Sequence, residues 1–270
     1  MRQIILAINA LLKFKAYTLI NVLGLACSLA CVLTVARYIH QENTVNQCFP
    51  EYKRICLIKT STSSGENFLG GYRSGLEKDP DVEQFTVIYQ ISDMPVLFGE
   101  QEIAANAFSV DSTFFKIFPY RVIAGSGRIV RSRDVVITRS FWKKKLGGKN
   151  AIGATFKNTK GNKFTIIGVV DDPDTKTSWM PDIFMSDELD EFLFFDPIYA
   201  MLMAPDTDIA LLNKKYSKEH PRSKWSTYET VRYQYLPLKD LYYDKDHGKE
   251  NKNYQYGNQS YVRVLSLIHI

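Results

Sequence analysis

The sequence is poor in the residues and motifs on which most small metal-binding or redox sites depend. Its 270 residues include only four cysteines and four histidines, and no two cysteines form a C-x-x-C pair. A disulfide scaffold, a zinc ribbon and a thioredoxin-like site are therefore excluded. The formal net charge is only +5, which argues against a nucleic-acid partner in the absence of a reading motif.

Motifs for ATP hydrolysis and nucleophilic catalysis are missing as well. Neither Gly-Lys pair, at positions 148 and 248, is followed by the Ser or Thr that a phosphate-binding loop requires. No G-x-S-x-G motif occurs. The carboxylates Asp171, Asp172 and Asp174 surround Pro173, as in an ordinary turn after a strand. The sequence therefore predicts no catalytic residue, no cofactor, no metal site and a protein that is not an enzyme.

One long apolar run lies near the N-terminus. From Ala16 to Ala36 the chain has 21 residues without a charge or a proline. A helix of that length measures about 31 Å, which matches the hydrocarbon thickness of a bilayer. The run is too long for a signal peptide, and a buried helix of a soluble protein usually has a polar face. We therefore predict a transmembrane helix over residues 16–40, preceded by an interfacial elbow helix over residues 1–15.

The charges that flank this run predict its orientation. Three basic residues and no acidic residue precede it, whereas Arg37 after it is accompanied by Glu42 and Glu51. Because positive charge is retained in the cytoplasm, the N-terminus is expected there. The rest of the chain is then extracytoplasmic, and periplasmic in a Gram-negative bacterium.

Two pairs of residues are candidate structural sites. Gly24 and Ser28 form a small-x-x-x-small pair, which predicts a surface for helix packing in the membrane. Cys48 and Cys56 lie outside the membrane and can form a disulfide in an oxidising compartment, or else remain buried thiols.

Beyond the membrane helix the chain alternates strand-like and helix-like segments without repeats. The predicted strands include 53–60, 85–90, 95–98, 103–110, 134–138, 155–157, 163–170, 182–185, 198–203 and 230–238. The predicted helices are 112–118 with Asp111 as N-cap, 140–146, 186–193 and one that begins at Asp206. This pattern is typical of an α+β fold, with a mixed α/β extracytoplasmic domain over residues 45–258. A polar linker from residue 244 to residue 258 precedes an apolar segment, 259–270, which is expected to start a second transmembrane helix.

The aromatic side chains of the two short helices have two interpretations. Phe114, Phe115, Phe118, Phe141 and Trp142 are predicted to be core or subdomain-contact residues, with the lining of a substrate path as the alternative.

Several segments together carry a family resemblance. They are FKAYTLINVLGLA (Phe14 to Ala26), DSTFFKIF (Asp111 to Phe118), DVVITRSFWKKKLGG (Asp134 to Gly148), AIGATFK (Ala151 to Lys157), FTIIGVVDDP (Phe164 to Pro173) and PDIFM (Pro181 to Met185). In order and spacing they resemble a MacB/FtsX-like permease of ABC exporters. The similarity covers almost the whole chain, although arginines at 128, 131 and 133 make one segment more basic than is usual in that family.

The resemblance implies a fold, a function and a set of partners. The fold is an N-terminal transmembrane helix followed by a MacB-like periplasmic core domain of two subdomains. The function is that of a permease that transmits ATPase-driven motion across the bacterial inner membrane to an extracytoplasmic domain. The implied partners are the lipid bilayer, a separate cytoplasmic ABC ATPase subunit, a second permease copy or half, and a periplasmic adaptor.

The resemblance also implies that the chain is a C-terminally truncated fragment, because members of the family have further membrane helices. Residues 265–270 in addition resemble the translation of a sequencing-library adapter. A membrane-anchored extracytoplasmic sensor or ligand-binding domain is the alternative function, since its topology would be the same.

Overall fold

The computed structural model describes residues 13–63, 65, 67–71, 75–148, 150–186, 197–216, 218, 220–221, 230–244 and 255–268. The chain divides into two compact units, of which Val45–Gly257 is the larger. Met1–Thr44 and Asn258–Ile270 form the other unit. The predicted elbow helix, the predicted helix 186–193 and the predicted linker lie almost entirely outside the described residues.

The helices and strands below are those of the described residues of both units. The helices are α1 (Lys15–Asn43), α2 (Phe114–Ile117), α3 (Arg139–Lys145), α4 (Ile209–Lys215), α5 (Leu238–Leu241) and α6 (Gln259–Ile268). The strands are β1 (Ile55–Thr62), β2 (Asn67–Leu69), β3 (Val82–Phe98), β4 (Gln101–Val110), β5 (Val122–Gly125), β6 (Asp134–Thr138), β7 (Thr155–Asn158), β8 (Lys163–Val170), β9 (Ile183–Ser186), β10 (Ile198–Met203), β11 (His220–Pro221) and β12 (Thr230–Pro237).

Helix α1 is a long apolar rod. Its 29 residues include the predicted span 16–40 and correspond to about 44 Å of helix. Large apolar side chains such as Leu25 and Ile20 are exposed along it, and its most apolar stretch is not buried by the protein. By length and composition α1 can therefore cross a bilayer. Helix α6, which packs against α1, has ten residues and is about half as long as a span requires.

The described residues of the larger unit form a mixed sheet of twelve strands. Among the described residues the strand order is β11-β12-β1-β10-β3-β4-β9-β6-β8-β5, and β2 joins the sheet at β1. The pairs β4–β9 and β6–β8 are parallel, and the other neighbours are antiparallel. The predicted mixed α/β domain is therefore confirmed.

Half of this sheet closes on itself. Strand β7 pairs with β8 and also with the end of β3, where Val96 lies opposite Asn158. The pairing consequently runs β3-β4-β9-β6-β8-β7 and returns to β3, which makes a six-stranded barrel. Its interior is filled by alternate residues of each strand, including Val96, Ile103, Ala105, Val135, Ile137, Phe156, Phe164, Ile166, Ile183 and Met185. The barrel and the remaining open sheet share β3 and β4, so the two parts of the domain are continuous.

Strand β3 differs from the sequence prediction, which divided it into two strands. It is one strand of 17 residues with a bulge, because Ser92 and Asp93 together lie opposite Asn106. Asp93 has a φ of 51°, and its N–H donates to Asn106 Oδ1 at 3.2 Å. The bulge, which lies between the two predicted strands, is therefore the point where β3 passes from the open sheet into the barrel.

The two faces of the open sheet bury different clusters. Along β1, Ile55 and Leu57 face a core shared with α2, whereas Cys56 and Ile58 face a second core shared with α4. This alternation follows from the two-residue period of a strand. Both faces are covered, which explains why β1 is buried along almost its whole length.

Short polar caps fix the helices. Asp111 Oδ1 accepts hydrogen bonds from the N–H groups of Thr113 and Phe114 at 2.8 and 3.1 Å, which caps the turn that leads into α2. The helix itself begins at Phe114, with Thr113 at the N-cap position, and not at the predicted residue 112. Asp208 caps α4 in the same way, so this helix begins at Ile209 and not at the predicted Asp206.

Strand β5 was not predicted. It is held against β8 at Gly168, where a Cβ would lie 1.7 Å from the carbonyl oxygen of Ser126.

Candidate functional site

The chain passes from α1 into the larger unit through Asn46. This residue is only 1% exposed and has a left-handed backbone with a φ of 66°, which asparagine tolerates. Its side-chain Nδ2 donates to Ser178 Oγ at 2.8 Å and to the Leu238 carbonyl at 2.9 Å. Its Oδ1 accepts from the Ser178 N–H at 2.8 Å. One short side chain thus joins segments that are 132 and 192 residues apart in the sequence.

The chain leaves the larger unit beside the same residues. The N–H of Gln255 donates to the Ser178 carbonyl at 2.9 Å, and the N–H of Gly257 donates to the Tyr242 carbonyl at 2.8 Å. A Cβ at Gly257 would lie 2.1 Å from the Tyr242 ring, so glycine allows the backbone to lie against that ring. Ser178 is consequently bonded both to the segment that follows α1 and to the segment that precedes α6. We define the junction as Asn46, Lys176, Ser178, Leu238, Tyr242, Gln255 and Gly257.

Charged and aromatic groups support the junction. The N–H of Asn46 donates to the backbone carbonyl of Lys176 at 2.8 Å, and Lys176 Nζ lies 4.6 Å from the centroid of the Tyr242 ring. Two residues beyond Tyr242, the carboxylate of Asp244 forms a buried ion pair with Lys59 of β1 at 2.8 Å. Burial, assisted by the charge of Asp244, raises the pKa of Tyr256 to about 12. The described residues that lead towards α6 are therefore bonded to β1 through Asp244 and to Ser178 through Gln255.

The carboxylates of the predicted turn, Asp171–Asp174, are engaged in structural contacts. Asp171 is buried and pairs with Arg121 and with Arg139, whose Nε lies 2.9 Å from Oδ1. Asp172 accepts from the hydroxyl of Ser140 at 2.9 Å, which ties the turn to the start of α3. These contacts favour the loop interpretation over an acid/base pair.

The predicted aromatic residues are mainly core residues. Phe114 and Phe118 are fully buried and lie in a cluster with Phe184 and Trp179. Phe141 is buried in the barrel. Phe115 alone among the five lines a large surface cavity, of about 410 Å³.

The two cysteines outside α1 are free thiols, so the predicted disulfide is not formed in this structure. Cys48 packs against the core on one face of the open sheet, and Cys56 lies in the core on the other face. The alternation of side chains along β1 therefore separates them. Burial raises the pKa of both thiols, and raises that of Cys56 to about 12.

Gly24 and Ser28, the predicted packing pair in α1, are both exposed on the surface of the helix. Ser28 donates its hydroxyl to the Gly24 carbonyl at 2.9 Å, so its polarity is satisfied within the helix. A Cβ at Gly24 would meet nothing within 4 Å among the described residues.

The contacts of the described residues are those of a structural junction. Within the part of the chain that the structure describes, no group of three or more His, Cys, Asp or Glu side chains could hold a metal ion. The junction was missed by sequence analysis, because its bonds join residues that are far apart in the chain. An asparagine shortly after a long apolar helix was the local sequence signal that could have indicated it, because asparagine tolerates a left-handed backbone.

Comparison with known proteins finds a family model and solved structures that this chain resembles. The family model for MacB-like periplasmic core domains matches residues 18–215. A crystallised domain assigned to a permease protein of Porphyromonas gingivalis has a similar fold, with a TM-score of 0.57 at 18% identity, over 76% of this chain and 97% of that one. No curated protein matches the chain in sequence.

Two further solved structures are more distant. The periplasmic region of MacB from Actinobacillus actinomycetemcomitans is 14% identical, with a TM-score of 0.48, over 63% of this chain and 83% of that one. The extracellular domain of the ABC-type transporter YknZ from Gram-positive bacteria is 13% identical, with a TM-score of 0.41, over 67% and 99% of the two chains.

Proposed function

Because this chain belongs to the family of MacB-like periplasmic core domains, we propose that it is part of the permease subunit of an ABC exporter. Helix α1 crosses the inner membrane with its N-terminus in the cytoplasm, and Val45–Gly257 folds on the outer side. A separate cytoplasmic ATPase supplies the energy. The chain performs no bond chemistry and carries the displacement of membrane helices to its outer domain.

The junction is the observation that supports this mechanical role. A displacement of α1 reaches the outer domain at Val45 and Asn46, the first two residues of the larger unit. Asn46 is bonded directly to Ser178 and Leu238, so the displacement passes into packed segments instead of being absorbed by a loose linker. Rigid elements that join helix ends are what hinge and shear motions require.

A second permease copy or half would complete the transporter. We place its approach at Gly24 and Ser28, because small side chains allow two helix backbones to come close in a membrane. A periplasmic adaptor is a further partner of the outer domain under this proposal.

The orientation can be tested with introduced cysteines. Lys160, in the exposed turn between β7 and β8, and Lys13, before α1, are each replaced by cysteine in a Cys27→Ala, Cys31→Ala background. A membrane-impermeant maleimide is expected to label Lys160→Cys on intact inner-membrane spheroplasts, and Lys13→Cys only after permeabilisation. Cys48 and Cys56 serve as internal controls. Because burial raises the pKa of both thiols, less thiolate is present at pH 7, and each should react more slowly than an exposed introduced cysteine.

The opposite pattern of labelling would reverse the orientation. If Lys13→Cys reacted on intact spheroplasts and Lys160→Cys did not, Val45–Gly257 would be cytoplasmic and the proposed direction of transmission would be wrong.

The function is tested by what co-purifies with the complete gene product. The tagged protein is purified in mild detergent from the native bacterium. We expect an ABC ATPase subunit to co-purify in comparable amounts, with vanadate-sensitive ATP hydrolysis. Omission of the tag controls for contaminating ATPases. A gene product that continues into a signalling domain and purifies without an ATPase would contradict the proposal and favour a membrane-anchored sensor.

A further inference from the structure

One segment of the chain presents several exposed basic side chains and no acidic one. Residues 112–133 contain five basic side chains and no acidic one, and the whole chain has 34 basic against 29 acidic residues. All five of these side chains are exposed in the structure: Lys116, Arg121, Arg128, Arg131 and Arg133.

Apolar side chains are exposed between these charges. Val130 is 75% exposed, Val122 45% and Ile123 37%. Single exposed apolar residues are ordinary, but three in one basic segment form a surface with both characters. A surface whose only role is to keep the protein soluble does not require exposed apolar side chains between its charges.

The same segment contains a free strand edge. Among the described residues β5 pairs with β8 alone and ends the sheet. The Arg121 carbonyl accepts from the Asp171 N–H at 2.7 Å, and Val122 lies opposite Val170. In an antiparallel ladder the next residue turns its N–H and C=O to the other side. The peptide groups of Val122 therefore point away from β8, towards the open edge.

A cavity adjoins this edge. It has a volume of about 410 Å³ and lies between α2 and the segment Gly127–Val130, with Phe115, Lys116 and Arg128 in its lining. Gly127 connects it to β5, because a Cβ at Gly127 would lie 2.4 Å from the Val122 side chain. The free edge, the arginines and the cavity consequently form one surface, which we call the β5 surface.

We propose that the β5 surface binds an extended acidic segment of a separate extracytoplasmic polypeptide. The segment adds to β5 as a further strand, its carboxylates face Arg128 and Arg131, and one apolar side chain enters the cavity. The unpaired peptide groups of β5 favour a polypeptide over a lipid headgroup or a free anion, neither of which offers a backbone to pair with. Binding of this kind needs no ATP hydrolysis, so its failure is distinguishable from failure of the proposed export function.

The test uses the full chain in nanodiscs of zwitterionic lipid and a fluorescent ten-residue peptide of alternating glutamate and valine. We expect the peptide to bind, as measured by fluorescence anisotropy. The pair of substitutions Arg128→Glu and Arg131→Glu should weaken binding at least about tenfold. These positions are suitable because, among the described ion pairs, neither arginine takes part. The pair Lys143→Glu and Lys160→Glu changes the net charge equally outside the β5 surface, and should alter binding by about twofold or less.

A second peptide separates strand addition from attraction between charges. It has the same sequence with alternate peptide nitrogens methylated, which removes backbone donors and keeps every carboxylate. Loss of binding supports strand addition to β5, and equal binding overturns it.

The same experiment can show that something else occupies the β5 surface, and two such results would overturn the proposal. Vesicles of phosphatidylglycerol that bind the nanodisc-embedded protein and displace the peptide would assign the surface to a lipid and overturn the proposal. Binding that is detected only after Asp187, Glu188, Asp190 and Glu191 are neutralised would assign it to the chain's own acidic residues, and would overturn the proposal too.

Discussion

Replacing Asn46 with leucine is expected to lower the free energy of unfolding of the Val45–Gly257 unit by about 3–5 kcal/mol. The substitution removes three side-chain hydrogen bonds and leaves the buried N–H of Ser178 and the carbonyl of Leu238 without those partners. Each such loss costs about 1–3 kcal/mol. Leucine also adopts the left-handed backbone of this position, φ 66°, at a further cost of about 1–2 kcal/mol.

The measurement is urea unfolding followed by the fluorescence of Trp179, which is buried next to Ser178, in a background where the other two tryptophans are phenylalanine. Asn46→Gly separates the two contributions, because it loses the hydrogen bonds but accepts the backbone conformation. Asn213→Leu is the matched control: Asn213 also forms two hydrogen bonds, to the backbone of Tyr235 at 3.0 and 2.7 Å, but neither residue belongs to the junction.

The junction has a functional readout as well. In the purified transporter, Asn46→Gly should leave ATP hydrolysis in place and reduce transport, whereas Asn213→Gly should affect both only through stability. If Asn213→Leu and Asn46→Leu had equal effects on stability and transport, the special role of the junction would be refuted.

The substitution Lys59→Met is expected to destabilise the same unit by about 3–5 kcal/mol, because it leaves a buried carboxylate without its charged partner. The side chains of Lys59 and Asp244 are only 7% and 12% exposed, and both carboxylate oxygens lie within 2.9 Å of Nζ. The double variant Lys59→Met, Asp244→Leu should recover most of this loss, since replacing a whole buried pair with apolar residues of similar size is often neutral.

An exposed ion pair provides the comparison for this series. Arg54 and Glu83 are 28% and 45% exposed, so Glu83→Gln should change the unfolding free energy by about 1 kcal/mol or less. The midpoint of urea unfolding measures all three variants. A double variant as unstable as Lys59→Met alone would mean that the lysine contributes by packing and not by charge.

The sequence predicts best those elements whose signal is local. Strands β6 and β10 have the predicted bounds, because each is a short run of β-branched or apolar residues between turn residues. Helix α1 is likewise evident from its uninterrupted apolar run. The capping role of Asp111 was predictable, since it depends on residues two and three positions away.

The elements that the sequence did not predict depend on distant partners. Strand β5 is mostly exposed and becomes a strand only through its pairing with β8. The closure of the barrel depends on two residues of β7 meeting the end of β3, about 60 positions away, and no periodicity encodes that contact. The side-chain hydrogen bonds of Asn46 join residues that are still farther apart in the sequence, by 132 and 192 positions.

The shared strand β3 limits how the domain can change shape. Its first part, from Val82 to Ile88, pairs with β10 of the open sheet, and its last part closes the barrel at Val96 and Leu97. An unbroken backbone of this kind does not allow the two parts to swing apart about a flexible tether. Any movement of one part against the other must instead bend β3. The bulge at Ser92 and Asp93 is where the fewest interstrand hydrogen bonds would have to break, because the ladder is already interrupted there.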